Sequence, residues 1–281
     1  MGTVRSISDG ISYHLQHGEC IVAMTYQEIR DLLIWNLRLD FDPVGVRFLT
    51  DTDDITALPV THEAGAKLTY CQFLAASRQE RYALLMTPEK LLCQNAYPVF
   101  GFRELDQEAD TQRHMKYLVD EELAWQAPQE KAKLDVGSCK AIYMAPLDWF
   151  DKIALPPSVV YMVGVPYQAY HIFNDYMGAM KKAHLNFCHT PNSAVCAGSV
   201  WAYNHQTANM TTMCAGSKTS GKTEMNYVNV FIPGDHMIPM AAQLAMRTAK
   251  GGASVLGKGF KPWPGMDVCK GCPLFKFKPV D

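Results

Sequence analysis

The residues with the most chemistry in this 281-residue chain are its nine cysteines. Cys71 and Cys93 lie 22 positions apart, Cys196 and Cys214 lie 18 apart, and Cys269-Lys-Gly-Cys272-Pro273 closes the series. An odd total in a long chain argues against a disulfide framework, and the opening residues lack the basic start and apolar stretch of an export signal. Thiolates are soft ligands, which suits zinc or an iron–sulfur cluster. In C-x-x-C both sulfurs reach one metal or one disulfide, and a following proline is common beside iron–sulfur clusters. Such a pair needs two more ligands, from Cys188 and His189 or from the other four cysteines. A redox pair and two inert thiols are its alternatives.

A second candidate overlaps the first. Gly216-Ser-Lys-Thr-Ser-Gly-Lys222-Thr223, two residues after Cys214, matches the phosphate-loop pattern letter for letter. Such a loop must open a helix, whose N–H groups hold the phosphates. Here the downstream stretch "MNYVNVFI" (225–232) reads as a strand ending at Pro233, and Asp235 is badly placed for magnesium. A Gly/Ser/Lys-rich hairpin connection is the better reading. Its Lys218 and Lys222 remain candidates for an anionic ligand.

The nine histidines form no HExxH or close ligand pair. His62, His205 and His189 are the best acid–base candidates among them. Tyr167 and Gln168 open the helix that follows "VGVP" and could aim donors into a cleft at a strand end. Gly-x-Ser-x-Gly, paired carboxylates and a convincing Gly-x-Gly-x-x-Gly are missing, so hydrolase, glycosidase and dinucleotide readings lack support.

These residues need elements to position them. Thr25-Tyr-Gln-Glu28 reads as a capping box that opens a helix through "EIRDLLIWNLRL". Strands are expected at 44–49, 81–87, 140–147, 158–165, 208–213 and 225–232, and helices at 70–79, 166–183, 194–206 and 237–250. A polar surface helix pair is expected within 105–133.

Two regions then run in parallel. "VGVRFL", a helix opened by Cys71, "YALLMT" and Cys93 match "VVYMVG", a helix bearing Cys196, "ANMTTM" and Cys214. Both read strand, Cys-helix, strand, Cys-loop, so a mixed α/β (α+β) fold of two pseudo-repeated halves is expected. One domain spans 1–250, with halves at about 25–104 and 140–250, and 251–281 forms a Gly/Pro/Lys-rich tail. Like halves packed about a two-fold axis would aim equivalent cysteines at one point.

The order of "DPVGVRFL", "YCQFLAASRQERYALLMTPEKLLC", "FGF", the "APLDWFDKIALPPSVVYMVGVPYQ" run, "NSAVCAG", "MCAGSKTSG" and "VNVFIPGDHM" resembles the DUF169 family. The resemblance covers about 25 to 250 and implies a prokaryotic, cytoplasmic, oxygen-poor setting, but little about chemistry. The segment 105–133 and the tail match nothing in that pattern.

Hydrophobic residues make up 48% and charged residues 19%, with net charge −2. That balance gives no electrostatic case for nucleic acid, and no apolar run reaches membrane-spanning length. The expectation is a [4Fe–4S] protein with Cys71, Cys93, Cys196 and Cys214 as ligands, and Cys269 and Cys272 as a second centre or as substitutes. His205, His62 and Tyr167 would serve a small aromatic or carboxylic substrate, with redox or Lewis-acid chemistry open. An electron-transfer partner and self-association are compatible with it. The rivals are a zinc-binding accessory protein and a metal-free enzyme with Cys214 or Cys93 as nucleophile.

Overall fold

The computed structural model describes residues 12–16, 19–219, 221 and 223–250. Lys222, Cys269 and Cys272 lie outside them. In chain order the elements are β1 (Ser12–Gln16), β2 (Glu19–Ala23), α1 (Tyr26–Leu37), β3 (Val44–Leu49), α2 (Tyr70–Glu80), β4 (Leu84–Met86), α3 (Gln107–His114) and α4 (Glu121–Glu130). Then follow β5 (Ala141–Pro146), β6 (Val159–Gly164), α5 (Pro166–Met180), α6 (Ala194–His205), β7 (Asn209–Thr211), α7 (Ala215–Thr219), β8 (Val228–Pro233) and α8 (Met237–Ala249). The fold is mixed α+β, as the patterning predicts.

β1 and β2 form a separate hairpin that the sequence reading does not anticipate. The other six strands form one antiparallel sheet in the order β4-β5-β3-β6-β8-β7. Outward from the central β3–β6 pair, β5 and β4 follow on one side, β8 and β7 on the other. Both edges are three-residue strands, and short edges resist pairing with other chains. The order is symmetric about that central pair. In the sheet β5 lies between β4 and β3.

The sheet is buried on both faces, which explains its continuous apolar runs. Along β6, Val159, Tyr161 and Val163 enter one core cluster, whereas Val160 and Met162 enter another. The first cluster lies under α2 and α6 and includes Cys71 and Cys196. The second lies under α1, α5 and α8. The α1 capping box forms as expected, and the Asp151 carboxylate also accepts the Tyr26 and Gln27 N–H groups at 2.8 Å. Gly45 is required by a close approach, because a Cβ there would lie 2.2 Å from the Phe150 ring.

Candidate metal centre

Each of the four paired cysteines stands at the start of a helical turn. A capping box of Thr69 and Gln72 opens α2 and makes Cys71 its second residue. Ser193, in the left-handed region, opens α6 and makes Cys196 its third. Cys93 directly precedes a 3-10 turn at Gln94–Ala96, and Cys214 directly precedes α7. Cys71 and Cys196 are buried, Cys93 and Cys214 half-buried.

The four thiols fall within electrostatic range of one another in all six pairings. Cys71 feels Cys214, Cys196 and Cys93; Cys196 feels Cys93 and Cys214; Cys93 feels Cys214. The Cys71 thiol is hydrogen-bonded to Cys214. That bond, then burial, raises the Cys71 pKa well above the ordinary thiol value. The same bond, helped by Ser217 and the Ala194 N–H and opposed by burial, lowers Cys214 to about 5. The bond thus favours the thiol on Cys71 and the thiolate on Cys214. Burial raises Cys93 and Cys196; the Asn95 and Ala96 N–H groups partly offset this at Cys93.

The connection between β7 and β8 covers this group. A Cβ on Gly221 would meet the Cys71 Cβ at 2.9 Å and the Ser217 carbonyl at 2.7 Å. Arg78 of α2, buried, donates to the Gly221 carbonyl at 2.7 Å and to Thr223 Oγ1 at 3.3 Å. The expected plain hairpin connection therefore needs correction, since it carries the short helix α7. No helix follows Thr223, however, and the chain passes into β8, so the phosphate-loop geometry is not built. Lys218 is exposed on α7.

The structure separates the expected acid–base residues from the thiols. His205 is exposed at the far end of α6, stacked on Trp201 with Nδ1 bonded to its carbonyl at 3.0 Å. Nine residues of helix put it about 13 Å along the axis from Cys196. His62 is exposed beside the edge strand β4 and stacks on Tyr82. Tyr167 lies on α5, which packs on the opposite face of the sheet. Gln168 is a cap: it accepts the Val165 N–H and donates to the Leu37 and Arg38 carbonyls. Cys139, pushed up to about 12 by burial, is a core residue outside the group.

A buried polar chain beside the thiols escapes sequence reading. Lys131 Nζ donates to Asn192 Oδ1 at 2.6 Å and to His114 Nε2 at 3.1 Å. His114 Nδ1 then faces the Asp110 carbonyl at 2.6 Å. Lys131 is within electrostatic range of Cys196 and Cys93, and burial lowers it to about 8. The polar composition of 105–133 gives the two helices but not the one lysine that turns inward.

Soft sulfur donors suit zinc or an iron–sulfur cluster alike. Among the described residues, however, no three or more His, Cys, Asp or Glu side chains are gathered closely enough to hold a metal ion as they stand. A tetrahedral zinc site needs sulfurs about 3.8 Å apart, from zinc–sulfur bonds near 2.3 Å. A cluster is itself several atoms wide and needs its ligands further apart still, whereas Cys71 and Cys214 stand in hydrogen-bond contact, so the four cysteines as placed match neither spacing.

The fold and site define a class: an α+β protein whose sheet is ordered symmetrically about a central strand pair, with four cysteines at the starts of helical turns. The chain belongs to the DUF169 family, described as uncharacterised ArCR, which matches residues 32–243. No curated protein and no solved structure matches it.

Proposed function

We propose that Cys71, Cys93, Cys196 and Cys214 hold one [4Fe–4S] cluster and that the protein is a one-electron carrier of oxygen-poor cytoplasm. The observation that carries this reading is the coupling of all six thiol pairs, supplied from corresponding places in the two strand sets. When bound, such a cluster supplies single-electron redox chemistry. Four cysteine ligands leave no iron position for a substrate, which favours electron transfer over Lewis-acid catalysis. The positions of His205, His62 and Tyr167, away from the thiols, point the same way.

The chain's own groups fit the task. The N–H donors at Cys93 and Cys214 stabilise negative sulfur. Burial of Cys71 and Cys196 excludes water from the inner side, and half-buried Cys93 and Cys214 leave the outer side near the surface. Among the described residues, no helix is long and apolar enough to cross a membrane.

The metal-free alternative draws on the depressed Cys214 pKa, since a thiolate at neutral pH is a competent nucleophile. Anaerobic purification with iron and acid-labile sulfide analysis separates the two. Both elements bound, with a broad visible absorption bleached by dithionite, support the cluster. A colourless, iron-free protein with one fast-reacting thiol supports the nucleophile and rejects the cluster.

A further inference from the structure

Cys71 is 7% exposed and lies under the connection between β7 and β8. Gly221 sits so close that a Cβ there would meet the Cys71 Cβ at 2.9 Å. The buried Arg78 guanidinium holds Gly221 in that place, donating to its carbonyl at 2.7 Å. The Cys71 sulfur meets Cys214 in a hydrogen bond.

Cys214 is fixed through its own backbone. Its carbonyl accepts the Lys218 N–H at 3.1 Å and the Ser217 hydroxyl at 2.9 Å. The Ser217 carbonyl lies 2.7 Å from the same point above Gly221 that touches Cys71. The first turn of α7 thus ties Cys214 to the segment lying on Cys71, and α7 is in contact with α2. Packing makes the two thiols neighbours, and the hydrogen bond sets sulfur against sulfur.

Two thiols held in contact are one two-electron oxidation from a disulfide. These two differ in access. Cys214 is half-buried, within reach of a small oxidant, whereas Cys71 is buried. A reachable cysteine beside a shielded one is the arrangement of a reacting thiol and its resolving partner.

We propose that Cys71 and Cys214 form a reversible disulfide in the metal-free protein, with Cys214 the site attacked by a hydroperoxide and Cys71 the resolving thiol. With hydrogen peroxide, the Cys214 sulfur takes one oxygen as the O–O bond breaks, which gives a sulfenic acid and one water. The Cys71 sulfur then attacks the Cys214 sulfur and the S–O bond breaks. The oxygen leaves with the Cys71 proton as a second water. Both sulfurs are oxidised and the peroxide is reduced. Capture by Cys71 keeps Cys214 from further oxidation to the irreversible sulfinic acid. The bond staples α7 to α2. It uses two of the four paired cysteines, but its formation does not depend on the cluster reading.

The test treats full-length protein, reduced and stripped of metal with a chelator, with hydrogen peroxide at neutral pH. Free thiols are blocked with N-ethylmaleimide, and unreduced peptides are read by mass spectrometry. Wild type is expected to yield the Cys71 and Cys214 peptides joined, and dithiothreitol to return both thiols. In Cys214→Ser, Cys71 stays reduced at the same exposure. In Cys71→Ser, sulfinic acid at Cys214 rises about tenfold. Three wild-type results overturn the inference: Cys214 joined to any other cysteine, sulfinic acid on Cys214 beside a free Cys71, or both thiols left reduced. The wild-type peptides decide alone if either variant fails to fold. Iron analysis of the reduced protein tests the cluster reading separately, and a protein without iron that still forms this disulfide rejects that reading while upholding the present one.

Discussion

Arg78 is the clamp whose removal should expose the thiols, and its cost can be worked from distances. Its guanidinium donates to the Gly221 carbonyl at 2.7 Å, to Thr223 Oγ1 at 3.3 Å and to Tyr161 Oη at 3.4 Å. The short bond comes from a charged donor and contributes about 1.5–3 kcal/mol, whereas the two long ones are near the limit of hydrogen bonding and add little. Arg78→Met refills most of the volume, so the cavity contribution is small. The expected loss is about 2–3 kcal/mol, and it falls on the connection that packs Gly221 against Cys71. If the loss is local, the open form becomes about 30- to 150-fold more populated, at tenfold per 1.4 kcal/mol. The assay is a pulse of iodoacetamide on metal-free protein under native conditions, with Cys71 followed by peptide mass spectrometry. Cys139, buried in the same core cluster away from the connection, is the internal control. Faster labelling of Cys71 with Cys139 unchanged is expected. Cys71 labelling within threefold of wild type, or an equal rise at both residues, would refute the clamp.

Further outcomes follow from the same geometry. Cys214 in metal-free protein should be alkylated at a rate that holds down to about pH 5 and falls below it, because the thiolate is the reactive form. Removing the Cys71 bond with Cys71→Ala should move that fall to higher pH; an unchanged profile would mean that the bond does not set it. Gly45→Ala should cost about 1–3 kcal/mol in denaturant unfolding, since the added methyl must displace the Phe150 ring. A midpoint equal to wild type would show that the ring yields freely.

Much of the fold was legible because its local signals agree with its tertiary demands. Continuous apolar runs mark β5, β6 and β8, which are buried on both faces. The Thr25–Glu28 box starts α1 where the sequence places it. The residues less plainly written are those whose state depends on distant partners. Arg81 adopts a left-handed conformation as the C-cap of α2, so the strand expected from 81 begins at Leu84. The helix α7 hides in a Gly/Ser-rich string because its first turn is supported by Cys214 and Ser217 rather than by an apolar stripe. For the site, the parallel order of motifs sets Cys71 against Cys196 and Cys93 against Cys214 as an expectation, and the fold places Cys71 and Cys196 in one core cluster. Nothing local marks Lys131, whose meaning comes from Asn192, 61 positions later. His205 and His62 are candidates by residue type and by their places on the Cys196 helix and in a loop, and each stacks on an aromatic ring at the surface.

The central claim is tested most directly by counting iron and acid-labile sulfide in anaerobically purified protein. The comparison sets wild type beside two variants: Cys71→Ser with Cys93→Ser, Cys196→Ser and Cys214→Ser, and Cys269→Ser with Cys272→Ser. The account predicts about four irons and four sulfides per chain in wild type and in the second variant, and none in the first. Iron that survives in the first variant, or is absent from wild type, contradicts it.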